Sequence, residues 1–246
     1  MFRRFVGAVA IAALCTQISL AQAAPVRAVK GNVVFSSADP SARIVLPQAA
    51  RYVGTDIWLL YGIATCQLFV FAQPGAHRRV GRLYWVQFEA YVPSMPKLHH
   101  HYTSARHATL GGLDFYLDTW IEENDKAGAH ASDVAPIAAF LRSKGYAVPT
   151  GINSGSDERH VDALLAATDY ALPPATASVR LVHLLDVQAR KELMIIYSED
   201  IAGSGLTAAD ASKGARGYAR WKAFEAGLIH RAETSLTVVP SNGAGA

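Results

Sequence analysis

The run Arg82-Leu83-Tyr84-Trp85-Val86-Gln87-Phe88-Glu89-Ala90-Tyr91-Val92-Pro93 constrains the fold more than any other stretch of the chain. Aromatic and β-branched residues dominate it and Pro93 closes it, so it predicts a long central β-strand. Side chains alternate along a strand. One face therefore carries Tyr84, Val86, Phe88, Ala90 and Val92, the composition of a core. The other carries Leu83, Trp85, Gln87, Glu89 and Tyr91, with an amide and a carboxylate set between aromatic rings. Bulk solvent would favour Lys, Thr and Ser there, and a plain core would not hold Glu89.

A second strand repeats the pattern. Leu113 to Glu122 alternates Leu113, Phe115, Leu117, Thr119 and Ile121 with Asp114, Tyr116, Asp118, Trp120 and Glu122. Two strands that each flank a carboxylate with aromatics predict a face covered by helices or by a ligand. Exposed together, these rings would make an apolar patch that a monomer normally avoids.

Other elements follow in chain order. Residues 25–40 read as an extended entry segment, and Ala42 to Leu46 as a short edge strand stopped by Pro47. Asp56 to Ala72 is too long for one average strand, and Gly62 predicts a bend or bulge within it. Pro74-Gly75 turns the chain back into the central strand as a hairpin, with His77, Arg78 and Arg79 at the tip. Ser94 to Thr109 reads as a polar loop, ended by Gly111-Gly112. Two helices come next. Ser132 or Asp133 caps the first, with Ile137, Phe140 and Leu141 as its apolar stripe and Gly145 as its stop. Ser156 caps the second, whose Val161, Leu164 and Leu165 face inward. Val179 to Asp186 and Leu193 to Asp200 form a further hairpin. Thr207-x-x-Asp210 resembles a capping box opening a long final helix, with Tyr218, Trp221, Phe224 or Glu225, and Leu228 spaced by three and four.

Strands beside helices in this order predict an α+β fold. The last helix must bury its aromatic stripe. The expectation is a curved antiparallel sheet packed on a long C-terminal helix, helix-grip-like in architecture, with two further helices inserted between strands. No motif in the chain is specific enough to name a family.

Composition bears on address and partners. Arg3 and Arg4 precede an apolar run from Phe5 to Cys15, and Ala21-Gln22-Ala23 is an A-x-A cleavage site, so residues 1–23 read as a signal peptide. The run is too short to cross a bilayer, which takes roughly 20 residues. No later stretch is apolar for long enough, so no transmembrane segment is expected. A domain over 24–240 and a frayed tail over 241–246 follow, in an exported protein of the bacterial periplasm. The formal charge is +3, and residues 1–24 hold no acid, so loss of Arg3 and Arg4 leaves about +1. That argues against nucleic acid as a partner. Cys66 stands alone once Cys15 is removed, which excludes a disulfide framework, and its apolar strand makes it a small buried hydrophobe.

Phosphate-loop, dinucleotide, zinc-protease and nucleophile-elbow patterns are absent, and no cofactor is expected. Adjacent His99, His100 and His101 point apart on an extended backbone, so no metal site is expected and the histidine loop reads as solvated. The strongest constellation spans strands: Trp85, Gln87, Glu89 and Tyr91, Tyr116, Asp118 and Trp120, and His183 and Tyr197 from the later hairpin. If they line one cavity, they describe a pocket for a small or lipid-like molecule. The alternatives are a surface for a protein partner, or a hydrolase or isomerase using Glu89, Asp118 and His183 as acid and base.

Overall fold

The computed structural model describes residues 26–76, 79–124, 134–150 and 157–241. The leader, the His77–Arg78 tip, the Ser132, Asp133 and Ser156 caps and the last residues of the tail lie outside them. The architecture is α+β, as expected. It has two antiparallel sheets, neither closed into a barrel.

The larger sheet contains β4 (Arg51–Leu60), β5 (Ala64–Pro74), β6 (Val80–Tyr91), β7 (His107–Leu110), β8 (Leu113–Glu123), β9 (Ala175–Leu184) and β10 (Lys191–Asp200). Their spatial order is β4-β5-β6-β10-β9-β8-β7. Two meanders, β4 to β6 and β7 to β10, are thus zipped along one seam between β6 and β10. The smaller sheet holds β1 (Arg27–Lys30), β2 (Val33–Ser36), β3 (Ala42–Val45) and β11 (Thr237–Pro240), in the order β1-β2-β3-β11. Two helices, α1 (Val134–Ser143) and α2 (Asp157–Ala166), fall between β8 and β9, and α3 (Tyr218–Ser235) precedes β11.

Several local expectations are corrected. The long run around Gly62 is two strands, not one kinked strand. Tyr61 and Gly62 both have positive φ, at 49° and 75°, and Ile63 N–H donates to the Leu60 carbonyl at 2.9 Å, which closes a tight hairpin. That conformation suits glycine, which has no Cβ to clash. Ala42–Val45 is not an edge strand, because β2 pairs on one side and β11 on the other. The capping box at Thr207 does not open the last helix. Its Asp210 carboxylate accepts from Thr207 N–H and hydroxyl around a single 3-10 turn at Ala208–Ala211, and α3 starts only at Tyr218. Phe140 is exposed, and Ala138 and Leu141 take the buried side of α1. Gly145 does end α1: Gly145 N–H bonds to Arg142 O and Tyr146 N–H to Leu141 O, a Schellman pair.

The core on one face of the large sheet holds Tyr84, Val86 and Phe88 of β6 with Leu181, Leu193 and Ile195. Trp221, Leu228 and Ala232 of α3 close it, joined by Val34, Ile44 and Val238 from the small sheet. The same α3 face buries Glu225. That carboxylate meets Arg106 at 2.7 Å and also binds Thr119 and Lys222, so a charge replaces an apolar side chain on the helix stripe. The opposite face of the sheet forms a second core with Val161 and Leu165 of α2.

Candidate functional site

Register decides which of the candidate side chains meet. Trp85 pairs with Ile196, Ile196 with Arg180, and Arg180 with Asp118, so these four lie in one row across β6, β10, β9 and β8. Adjacent rows hold Gln87, Met194, Val182 and Tyr116, and Leu83, Ser198, Ser178 and Trp120. Residues paired across antiparallel strands point to the same face. Trp85, Gln87, Glu89, Tyr91, Tyr116, Asp118 and Trp120 therefore share one face, the one that α2 covers.

His183 and Tyr197 do not join them. His183 pairs with Leu193, and Tyr197 pairs with Tyr84 and Val179, all on the α3 side. His183 Nδ1 lies 2.8 Å from the Asp114 carbonyl, beside the Phe115 ring. Tyr197 packs on Tyr84 with ring centroids 5.2 Å apart, and its hydroxyl bonds to Glu199. Parity within each strand is legible in sequence; the phase between strands is not.

On the shared face the polar groups bind one another. Trp85 Nε1–H donates to Gln87 Oε1 at 2.9 Å, and Gln87 Nε2 lies 3.4 Å from Glu89 Oε2. Buried Cys66 places Sγ 3.5 Å from the same Glu89 oxygen. Asp118 is paired with Arg180 at 2.7 Å, and the Arg180 guanidinium lies 5.3 Å from the Tyr102 ring centroid. Asp118 thus serves a structural ion pair.

Residues 94–106 form a strap over this face, not the solvated loop expected. His99 and His101 are exposed, but His100 is buried with Nδ1 3.0 Å from Glu192 Oε2. Tyr102 hydroxyl donates to the same oxygen at 2.8 Å. Arg190 clips the strap's start by donating to the carbonyls of Tyr91, Val92, Met95 and Leu98. Burial and the neighbouring Glu192 carboxylate push the Tyr102 phenol well above its usual range. Burial likewise lifts Tyr91, to about 12, with Glu89 and Glu192 adding to the effect. Both phenols are therefore neutral donors at ordinary pH. Among the described residues no group of His, Cys, Asp and Glu is placed to hold a metal ion.

Beyond Trp85 the face opens into a cavity of about 750 Å³. Its floor is Leu83, Trp85 and Ile196, with Trp120 on the β8 side. Val161 of α2 and the segment Leu172-Pro173-Pro174 wall it. Polar atoms on the floor come from Thr176 and from Ser178 and Ser198, whose hydroxyls bond to each other at 2.8 Å. Asn124 is held by Pro173 O at 2.9 Å. The charged lining is Arg79 with Glu122, Glu123, Glu158 and Asp162. Helix α2 is fixed over this space by His160, which stacks on Trp58 at 3.9 Å and binds Asp56 at 2.7 Å.

Of the candidate residues, Trp85 and Trp120 line the cavity; Glu89 and Asp118 do not. Sequence reasoning missed the serine pair and Ile196. The signal for the serines was present, because Ser178 and Ser198 break otherwise apolar strands, yet only the register shows that they face each other. No protein-family model, curated protein or solved structure matches this chain.

Proposed function

We propose that this chain is an exported protein that binds a small, largely apolar molecule with a hydrogen-bonding end, lipid-like molecules among them. The observation that carries this is the cavity of about 750 Å³ between the large sheet and α2. Small-molecule sites are roughly 300–1,000 Å³, mostly apolar, with a few convergent polar groups. Indole faces from Trp85 and Trp120 supply flat apolar contact, and the Ser178–Ser198 pair supplies hydroxyls that can re-aim toward a ligand. Export rests on the leader-like start of the chain.

Acid–base catalysis by Glu89, Asp118 and His183 draws no support from this geometry. His183 lies on the far face, Asp118 is engaged by Arg180, and neither carboxylate borders the cavity.

Binding is tested with N-phenyl-1-naphthylamine, an apolar probe that brightens out of water, together with native mass spectrometry of protein purified from its exporting host. Saturable probe uptake is expected in the wild type, lost in Ser198→Phe, which fills the floor. Equal uptake by both proteins, with Ser198→Phe still melting cooperatively, would overturn the reading. N-terminal sequencing of exported protein should begin at or next to Ala24.

A further inference from the structure

We infer that the strap over residues 94–106 is a proton-dependent latch: His100, clamped on Glu192, holds it against the large sheet, and loss of the imidazolium proton to solvent loosens it. The inference stands on the strap's own geometry and not on occupancy of the cavity.

The acceptor at the clamp is a buried acid. Glu192 is 2% exposed and sits mid-sheet on β10, between Leu184 of β9 and Glu89 of β6. One of its oxygens takes both strap contacts, His100 Nδ1 and Tyr102 hydroxyl. Tyr102 is neutral, so among these two only protonated His100 balances the carboxylate's charge. Buried charges persist when paired and become costly when the partner is neutralised.

Acidic groups reach His100 from several elements. From β6 come Glu89 and the Tyr91 ring, which packs on the imidazole at 4.5 Å. The β9–β10 turn brings Asp186, whose side chain is held by Arg190 N–H. Cys66 lies beyond Glu89 on β5. The cations nearby are committed elsewhere, Arg190 to strap carbonyls and Arg180 to Asp118. Burial works against the imidazolium, but the Glu192 hydrogen bond and the Glu192, Glu89 and Asp186 charges outweigh it and raise its pKa above the ordinary value. The clamped strap therefore binds the proton more tightly than an open strap does, and by linkage rising pH must favour opening.

Apart from the clamp, the strap is pinned at its ends. Arg190 secures the entry, and Ser104 bonds to the Leu117 carbonyl at the exit. Between them, Leu98 is buried against Ile63 and Leu141, Lys97 N–H donates to the Tyr146 hydroxyl at 2.7 Å, and the Tyr102 ring packs on Tyr116 and Arg180; His100 N–H to Ala189 O at 2.6 Å and the two side chains at Glu192 complete the hold. Opening would uncover Gln87, Glu89 and Glu192, next to Trp85 and the cavity.

The test is amide hydrogen exchange of peptides covering 94–106 in the full chain, from about pH 5.5 to about 8.5, either side of the ordinary imidazole value. Rates are corrected for intrinsic base catalysis, with an α3 peptide as the internal reference. Strap protection should fall relative to α3 as pH rises across that range, the direction set by the raised His100 pKa. His100→Gln should abolish the pH dependence. Flat strap protection in the wild type, or an unchanged profile in folded His100→Gln, would overturn the latch. Should His100→Gln fail to fold, the wild-type His100 ring signals decide by NMR. A titration midpoint above the ordinary imidazole value supports the latch, and one at or below it overturns it.

Discussion

Glu192 on β10 stands directly opposite Glu89 on β6, two carboxylates paired across the central seam of the large sheet. Like charges placed opposite one another destabilise a sheet. The arrangement persists because each acid has its own donors. Tyr102 and His100 serve Glu192, while Gln87 and Cys66 approach Glu89.

The two acids should therefore respond oppositely to neutralisation. Glu89→Gln keeps the shape and removes the repulsion, so stability should hold or rise by roughly 0.2–1 kcal/mol. Glu192→Gln removes the acceptor that holds the His100 proton, so stability should fall below wild type at acidic pH by roughly 1–3 kcal/mol and approach it as pH rises. Thermal melts of both variants at about pH 6, where His100 holds its proton, check the pair. A loss in Glu89→Gln as large as that in Glu192→Gln would contradict the assignment.

Stability should peak at mildly acidic pH. The raised His100 pKa contributes stability that is complete below the unfolded imidazole value, roughly 6.5, and is lost as pH rises through the folded value. Glu199 acts from the other side. Burial alone would raise it, but hydrogen bonds from Arg231, at 2.8 Å to each oxygen, and from Tyr197 hold it low. Its contribution is present above the ordinary glutamate value and disappears as pH falls through the depressed one. Denaturant melts across this range should show both flanks, with the alkaline one reduced in His100→Gln and the acid one in Glu199→Gln.

Trp221→Ala opens a cavity in the core shared by the two sheets and should cost roughly 3–5 kcal/mol in chemical denaturation. Deleting 207–246 removes α3 and also β11, the second partner of β3. That truncation should yield no cooperative melt. A soluble product that melts sharply would show that α3 is peripheral.

Arg190→Lys should behave like a loss-of-function change at the strap entry. Lysine is a point charge and cannot serve four carbonyls through a planar fork. Limited proteolysis should cut within 94–106 earlier in Arg190→Lys than in the wild type, with global melting shifted less than in Trp221→Ala.

Much of the α+β layout was legible because it is written in local periodicity. The alternation of β6 and β8 and the three-and-four spacing of Trp221, Phe224, Glu225 and Leu228 each name an element and its buried side. The coupling of Trp85 to Asp118 across four strands was anticipated only as a shared face, because the intervening Ile196 and Arg180 are fixed by long-range register. Parity misled at His183 and Tyr197, where one residue of phase moves a side chain to the other core. The short strands β7 and β11 have too few residues to show alternation. His100 was hidden for a different reason: its burial depends on Glu192, which lies 92 positions away and itself reads as a surface turn residue.

The pairing of β3 with β11 binds Ala42–Val45 to Thr237–Pro240. A chain that emerges from its N-terminus therefore cannot finish its first sheet until Thr237–Pro240 is free, nearly two hundred residues after β3. The seam between β6 and β10 imposes the same delay on the larger sheet, since Tyr84 must wait for Tyr197. Pairings of such long sequence separation fold slowly, on the millisecond to second scale. Vectorial synthesis will thus leave β3 without its second partner until β11 has emerged, and the half-built small sheet is open to chaperones during that interval.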